Sequence, residues 1–125
     1  MPQGIEARFA ELGLSQVFGT FARFINSVQW HQYANLRCQI ETMLAHAPIA
    51  GYVVTELTDV HWEGNGLMDM ARNPRVFAKA LPAFNADVVI VPGVAQHSVR
   101  AVQAVSFDLK IATGGQNLPA GCRLV

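Results

Sequence analysis

The chain has 125 residues, 51% of them hydrophobic, and its nine basic side chains are balanced by nine acidic ones. That is enough apolar material for a domain core, with no net field to hold phosphate backbones or anionic lipid, so neither nucleic acid nor a membrane surface is an expected partner. The longest apolar runs, such as Val88 to Val91, fall far short of the ~20 residues that cross a bilayer, and no basic segment leads into an apolar stretch in the manner of a signal peptide.

Gly4 to Leu12 carries a short helical pattern with Ile5, Phe9 and Leu12 on one side and Gly13 placed as a stop. A stronger pattern starts at Thr20, a fitting N-cap, and runs through Phe21, Phe24, Ile25, Val28, Leu36, Ile40, Met43 and Leu44 in three- and four-residue steps. His46 is expected in its last turn. Pro48 ends it, because proline restrains the residue before it and has no N–H to donate.

After a short connection comes Gly51 to about Thr58, an apolar, β-branched run that reads as a parallel strand buried on both faces. It ends in Thr55, Glu56, Thr58 and Asp59, with Trp62 and Glu63 just beyond, as a barrel strand delivers polar groups to its C-terminal rim. Gly64, Asn65 and Gly66 offer positive-φ turn positions in the loop that follows. Asn73 and Pro74 predict the start of a helix with Val76, Phe77, Ala80 and Leu81 facing inward, closed by Pro82.

Beyond Asn85 the period changes to two. Asp87 to Val91 and Val99 to Val102 are expected strands, and Val105, Phe107, Leu109 and Ile111 alternate with polar neighbours as in an antiparallel strand with one wet face. Gly114 and Gly115 make a turn, and Cys122 to Val125 begins a further strand. The change of period marks a boundary at Phe84 to Ala86, with α/β material in residues 1–84 and all-β material in 85–125.

Carboxylates beside an indole suit carbohydrate, since glycosidases pair carboxylates and stack sugar rings on aromatic faces. The plainer alternatives are an ion pair of Glu56 with Arg72 or Arg75 and a core or lid contact for Trp62. His31, His46, His61 and His97 follow no ligand spacing, so no metal and no cofactor is expected. Cys38 and Cys122 are too few and too far apart for a disulfide framework and read as two buried thiols.

The run Ile-Ala-Gly-Tyr-Val-Val-Thr-Glu-Leu-Thr-Asp-Val-His-Trp-Glu-Gly-Asn-Gly-Leu-Met-Asp-Met-Ala-Arg-Asn-Pro-Arg, Ile49 to Arg75, resembles the eighth-strand region of glycoside hydrolase family 2, the β-galactosidase and β-glucuronidase group, and Gly51 to Arg75 is its specific part. Gln29, Gln32, Leu36, Gln39, Ile40, Glu41 and His46 resemble the helix that leads into that strand, and Asn85 to Ile90 is similar to the start of the sandwich that follows the barrel. The resemblance implies an α/β fold, the C-terminal segment of a (β/α)8 TIM barrel followed by the beginning of an all-β sandwich. It implies a retaining O-glycosidase as the parent, in which one Glu protonates the leaving oxygen and another attacks the anomeric carbon. In the family these acids sit on the fourth and seventh strands, so the chain is expected to hold no catalytic residue. Glu56, Asp59, Trp62 and Glu63 are then sugar-binding residues of the pocket rim.

Two departures limit the transfer. Gly64 stands where a bulkier residue is expected, and Thr55 where several members have an aromatic, so the sugar is left open. The alternative is a small non-catalytic α+β module that binds carbohydrate or a partner through the Trp62 loop. In either case the apolar surface left without strands to cover it is expected to favour self-association.

Overall fold

The computed structural model describes residues 4–94 and 98–123. Helices α1 (Ile5–Glu11), α2 (Ser15–Phe18) and α3 (Phe21–Leu44) are followed by a 3₁₀ helix, Ala78–Ala83, and by strands β1 (Val89–Val94) and β2 (Phe107–Ala112). These elements belong to two compact units. The first comprises the chain up to Leu36 together with Val53–Leu81, and the second Arg37–Tyr52 with the chain from Pro82 onward.

In the first unit the predicted stops and caps operate. Gly13 takes φ 64 just beyond α1, a left-handed position that suits glycine, and the Arg23 N–H donates to Thr20 Oγ1 at 3.2 Å at the start of α3. Phe9 is buried against Phe21 and Phe24, each with ring centroids 5.5 Å away, and Phe18 meets Phe24 at 5.1 Å. Aromatic rings at these separations favour tilted and edge-on contacts. Further along α3, Tyr33 lies 5.8 Å from the fully buried Phe77. Two side chains of the same helix hold the loop that precedes Phe77. Gln29 Oε1 accepts from the Val76 N–H at 2.9 Å, and Gln32 Nε2 donates to the carbonyls of Asn65, at 2.5 Å, and Gly66.

The second unit buries Ile40, Phe84, Val89 and Val91. Strands β1 and β2 pair antiparallel, with Val89 opposite Ala112 and Ile90 opposite Ile111. Period-2 alternation sends Val89 and Val91 to the packed face. Ile90 with Phe107, Leu109 and Ile111 falls on the other, and all four are exposed. The Lys110 ammonium donates to the Ala45 carbonyl at 3.1 Å, placing a cation where the orphan carbonyls of a helix C-terminus favour one. The Tyr52 hydroxyl donates to Asn85 Oδ1 at 2.6 Å.

The barrel and sandwich expectation is overturned. Among the described residues the one sheet is the two-stranded antiparallel pair, and the only parallel contact is an isolated bridge between Thr58 and Met68. Gly51 to Leu57 has extended-strand composition but no ladder. Only its end is bonded, where the carbonyls of Glu56 and Leu57 accept from the N–H groups of Leu67 and Met68. A strand exists through its neighbours, and propensity without a partner leaves the segment irregular. Its burial alternates instead of running continuously, and Val53 is 91% exposed.

The expected helix from Asn73 is displaced for a related reason. The backbone groups of its first turn are already engaged: Asn73 accepts from Asp69, Pro74 bridges Met68, Arg75 donates to Leu67, and Val76 donates to Gln29. Only the 3₁₀ turn from Ala78 remains, and Pro82 sits inside it.

Val99 to Val102 is no strand, since the Gln103 N–H closes a turn on the Arg100 carbonyl at 3.2 Å and Val102 takes φ 61. The wet-face expectation for β2 fails because both of its faces are exposed, apart from Ala112 at its end. Cys38 and Cys122 are free and exposed, not buried. The further strand from Cys122 and the histidine at position 97 fall partly or wholly outside the described residues.

Candidate functional site

Residues 56–75 fold into a knot of tight turns within the first unit. Its centre is a salt bridge that local spacing does not announce. Arg75 Nη2 lies 2.5 and 2.6 Å from the two oxygens of Asp59, and the same guanidinium donates to the carbonyls of Gly66 and Gly64, each at 3.0 Å. Asp59 Oδ1 also accepts the Gly66 N–H at 2.8 Å. Both side chains are largely withdrawn from water. A pair so enclosed holds only because its remaining hydrogen-bonding capacity is met by backbone groups.

Gly66 is required by proximity, not by a left-handed backbone. A Cβ there would stand 2.6 Å from the Asp59 nitrogen, 2.6 Å from the Thr58 carbonyl carbon and 2.9 Å from the Met68 oxygen. Gly64 is the opposite case, with open space where its Cβ would be. The positive-φ expectation for these glycines is thus corrected. In this loop the left-handed residues are Glu56, φ 70, and Arg72, φ 64. Such conformations are costly for side chains with a Cβ and persist where the surroundings over-determine them.

The Val60 and Glu63 backbones exchange two hydrogen bonds of 3.1 Å, so His61 and Trp62 form the tip of a two-residue turn. His61 packs its ring edge-on against Trp62 at 3.8 Å. Trp62 is 73% exposed. A core position therefore does not describe it. Beside the turn, Asn65 Nδ2 donates to Glu63 Oε1 at 3.4 Å. At the loop's far end Asp69 accepts from both the backbone and the side chain of Asn73, at 2.8 and 2.9 Å, and these bonds hold its carboxyl below its ordinary value.

Glu56 Oε2 is enclosed without a hydrogen-bond partner. Desolvation, a side-chain hydrogen bond to Glu63, and the charges of Glu63 and Asp59 all push the Glu56 carboxyl above its ordinary value.

The sign of the Glu56 effect on stability follows. The folded chain holds the Glu56 proton more tightly than the unfolded chain. The contribution is therefore complete below the ordinary glutamate value and is lost as pH rises through the folded value. Asp69 works in the other direction, stabilising above its ordinary value and losing that contribution on acidification. Comparing Glu56→Gln with the parent isolates the first effect, since the amide keeps the size of the side chain without its titration. The expected outcome is a higher melting temperature for the variant at neutral pH, with the difference vanishing in mild acid. Thermal melts across that range check it, and a pH-independent difference would refute it.

Of the four rim residues expected from sequence, Trp62 and Glu63 belong to one turn, Glu56 lies where the charges of Glu63 and Asp59 act on its carboxyl, and Asp59 is the partner of Arg75. The sequence offered Arg72 or Arg75 as an ion-pair partner for Glu56, whereas Arg75 pairs with Asp59, and it did not single out Gln29 and Gln32 as the side chains that dock the loop. His31 and His46 are exposed, the latter with Nδ1 2.8 Å from the Thr42 carbonyl. Among the described residues no group of three or more His, Cys, Asp or Glu side chains converges to hold a metal ion, and no helix is long and apolar enough to cross a membrane. The second unit has an open depression of about 560 Å³ bordered by Met43, His46, Tyr52, Asp87 and Thr113, which includes none of the rim residues.

Comparison with protein-family models, with curated proteins and with solved structures finds no match to this chain.

Proposed function

We propose that this chain is a segment of a retaining O-glycosidase of the family 2 type and that its loop 56–75 forms part of the sugar-pocket rim. The supporting observation is the exposed Trp62 indole next to Glu63 in one tight turn, on a loop fixed from below by Asp59 and Arg75. An aromatic face offers a platform for the C–H face of a sugar ring, and flanking carboxyls bind its hydroxyls. Rigid support beneath such groups is what a binding site needs, because ordering them afterwards would cost affinity. Asp59 acts in this reading as a positioning residue. The catalytic acid and the nucleophile lie elsewhere in the enzyme.

The chain alone is expected to show no hydrolysis of aryl β-glycosides, while simple β-glycosides quench Trp62 emission in a Trp30→Phe background. Trp62→Ala abolishes the response without changing the helical circular dichroism. Turnover removed by Glu56→Gln would overturn the division of roles, and a quench that survives Trp62→Ala would remove the rim.

A further inference from the structure

We propose that two copies of this chain pair through the open edge of β2, antiparallel and centred on Leu109, joining their strand pairs into one four-stranded sheet. This pairing involves no residue of loop 56–75 and stands apart from the sugar-rim reading. Among the described residues β1 and β2 form a sheet of their own, so each strand keeps one edge without a neighbouring strand. Such edges are templates for further pairing unless something blunts them. Pro92 decides which edge is open. It stands opposite Leu109 in the ladder and has no N–H, so the backbone groups of these two residues point away from each other. The outer side of β1 thus carries a proline at its middle, where a further strand would need a donor. The outer side of β2 carries the N–H and C=O of Leu109 and, by period 2, those of Phe107 and Ile111, with no backbone partner among the described residues.

The occupant is set by the sequence of β2 itself. Phe107, Asp108, Leu109, Lys110 and Ile111 are apolar, charged, apolar, charged and apolar in either direction, with the two charges opposite in sign. Antiparallel pairing of two such strands about Leu109 places Asp108 opposite the partner's Lys110 and Lys110 opposite the partner's Asp108. Both are non-hydrogen-bonded pairs, in which side chains come closest. Phe107 falls opposite the partner's Ile111, an aromatic against a β-branched side chain, on the exposed apolar face that Ile90 shares. Centring the pair on Asp108 or on Lys110 instead sets like charges against each other, so charge selects the register. Phe107 to Ile111 are all exposed, and the Lys110 ammonium, which has three donors, uses one on the Ala45 carbonyl.

Sedimentation velocity of the full chain over a range of concentrations tests the pairing. The parent is expected to pass from monomer to dimer as concentration rises, the closed assembly of an isologous contact. Asp108→Lys and Lys110→Asp each turn both cross-strand ion pairs into like-charge pairs, and each is expected to weaken dimerisation about tenfold or more. Mixed in equal amounts they restore it, because one strand then carries two lysines and the other two aspartates in matching positions. Leu109→Pro removes an outward N–H and none of those bonded to β1, and it is expected to abolish the dimer while far-ultraviolet ellipticity is kept. A parent chain that stays monomeric at every concentration overturns the inference. A mixture that pairs no better than its components also overturns it. So does a dimer indifferent to the charge reversals or to Leu109→Pro, which would put the contact on the apolar face instead of the edge.

Discussion

Gly66→Ala is expected to cost ~3 kcal/mol or more, because the added methyl has only backbone atoms to displace. At 2.6 Å from the Asp59 nitrogen and the Thr58 carbonyl carbon, it forces apart the segments that the Asp59 carboxylate joins. Flexible side chains swing aside at small cost, but here the obstacles are peptide units fixed by the Asp59 to Met68 and Met68 to Leu57 hydrogen bonds, both 2.9 Å. Gly64→Ala supplies the control, since its methyl enters open space at an ordinary φ and should shift stability by no more than about 0.5 kcal/mol. Paired thermal or urea denaturation curves decide the matter. Similar losses from both substitutions would mean that proximity is not what Gly66 provides.

The second large effect is expected from the ion pair beneath the turn. Arg75→Ala leaves the Asp59 carboxylate enclosed without its cation and strands the Gly64 and Gly66 carbonyls, a loss of ~3–5 kcal/mol for a buried pair broken on one side. Arg75→Lys keeps the charge but not the planar fork that meets carboxylate and carbonyls together, so its cost falls between those of the parent and the alanine variant. Asp59→Asn combined with Arg75→Ala should cost less than the sum of the two changes, because the charge stranded by one is removed by the other. Additive losses in that double-mutant cycle would show that the two side chains do not act as a pair. Sugar-dependent quenching of Trp62 should fall with the stability of the loop across the same series.

What the sequence disclosed follows the range of the interactions responsible. Helices α1 and α3 were readable because Gly13 and Thr20 act on residues within one turn of themselves and because apolar spacing repeats along α3. The alternation of Phe107, Leu109 and Ile111 likewise announced β2, and Gly114 and Gly115 the turn after it, with φ 57 and 84. The residue types around Trp62 were readable as a cluster, since Glu56, Trp62 and Glu63 are close in the chain.

The remainder depended on neighbours that no local pattern names. Tyr52 to Val54 has the β-branched composition of a buried strand, but a strand is completed by pairing, and the described residues pair only its end. Asp59 finds Arg75 sixteen positions away, an interval with no helical or strand meaning. The need for glycine at position 66 arises from a close approach that appears only once Met68 has folded back on Thr58. Asn73 and Pro74 carry a legitimate helix-start signal, overridden because Asp69, Met68 and Gln29 engage the backbone there first.

The accessibility of both indoles sets what optical spectroscopy reports on this protein. Trp30 is 47% exposed and Trp62 more so, so both rings are in contact with water in the native chain. Denaturation changes their exposure less than it would that of buried indoles, while a sugar ring settling on Trp62 changes its surroundings directly. Intrinsic fluorescence is therefore a binding gauge here, and the 24 residues of α3 make far-ultraviolet ellipticity the gauge of folding.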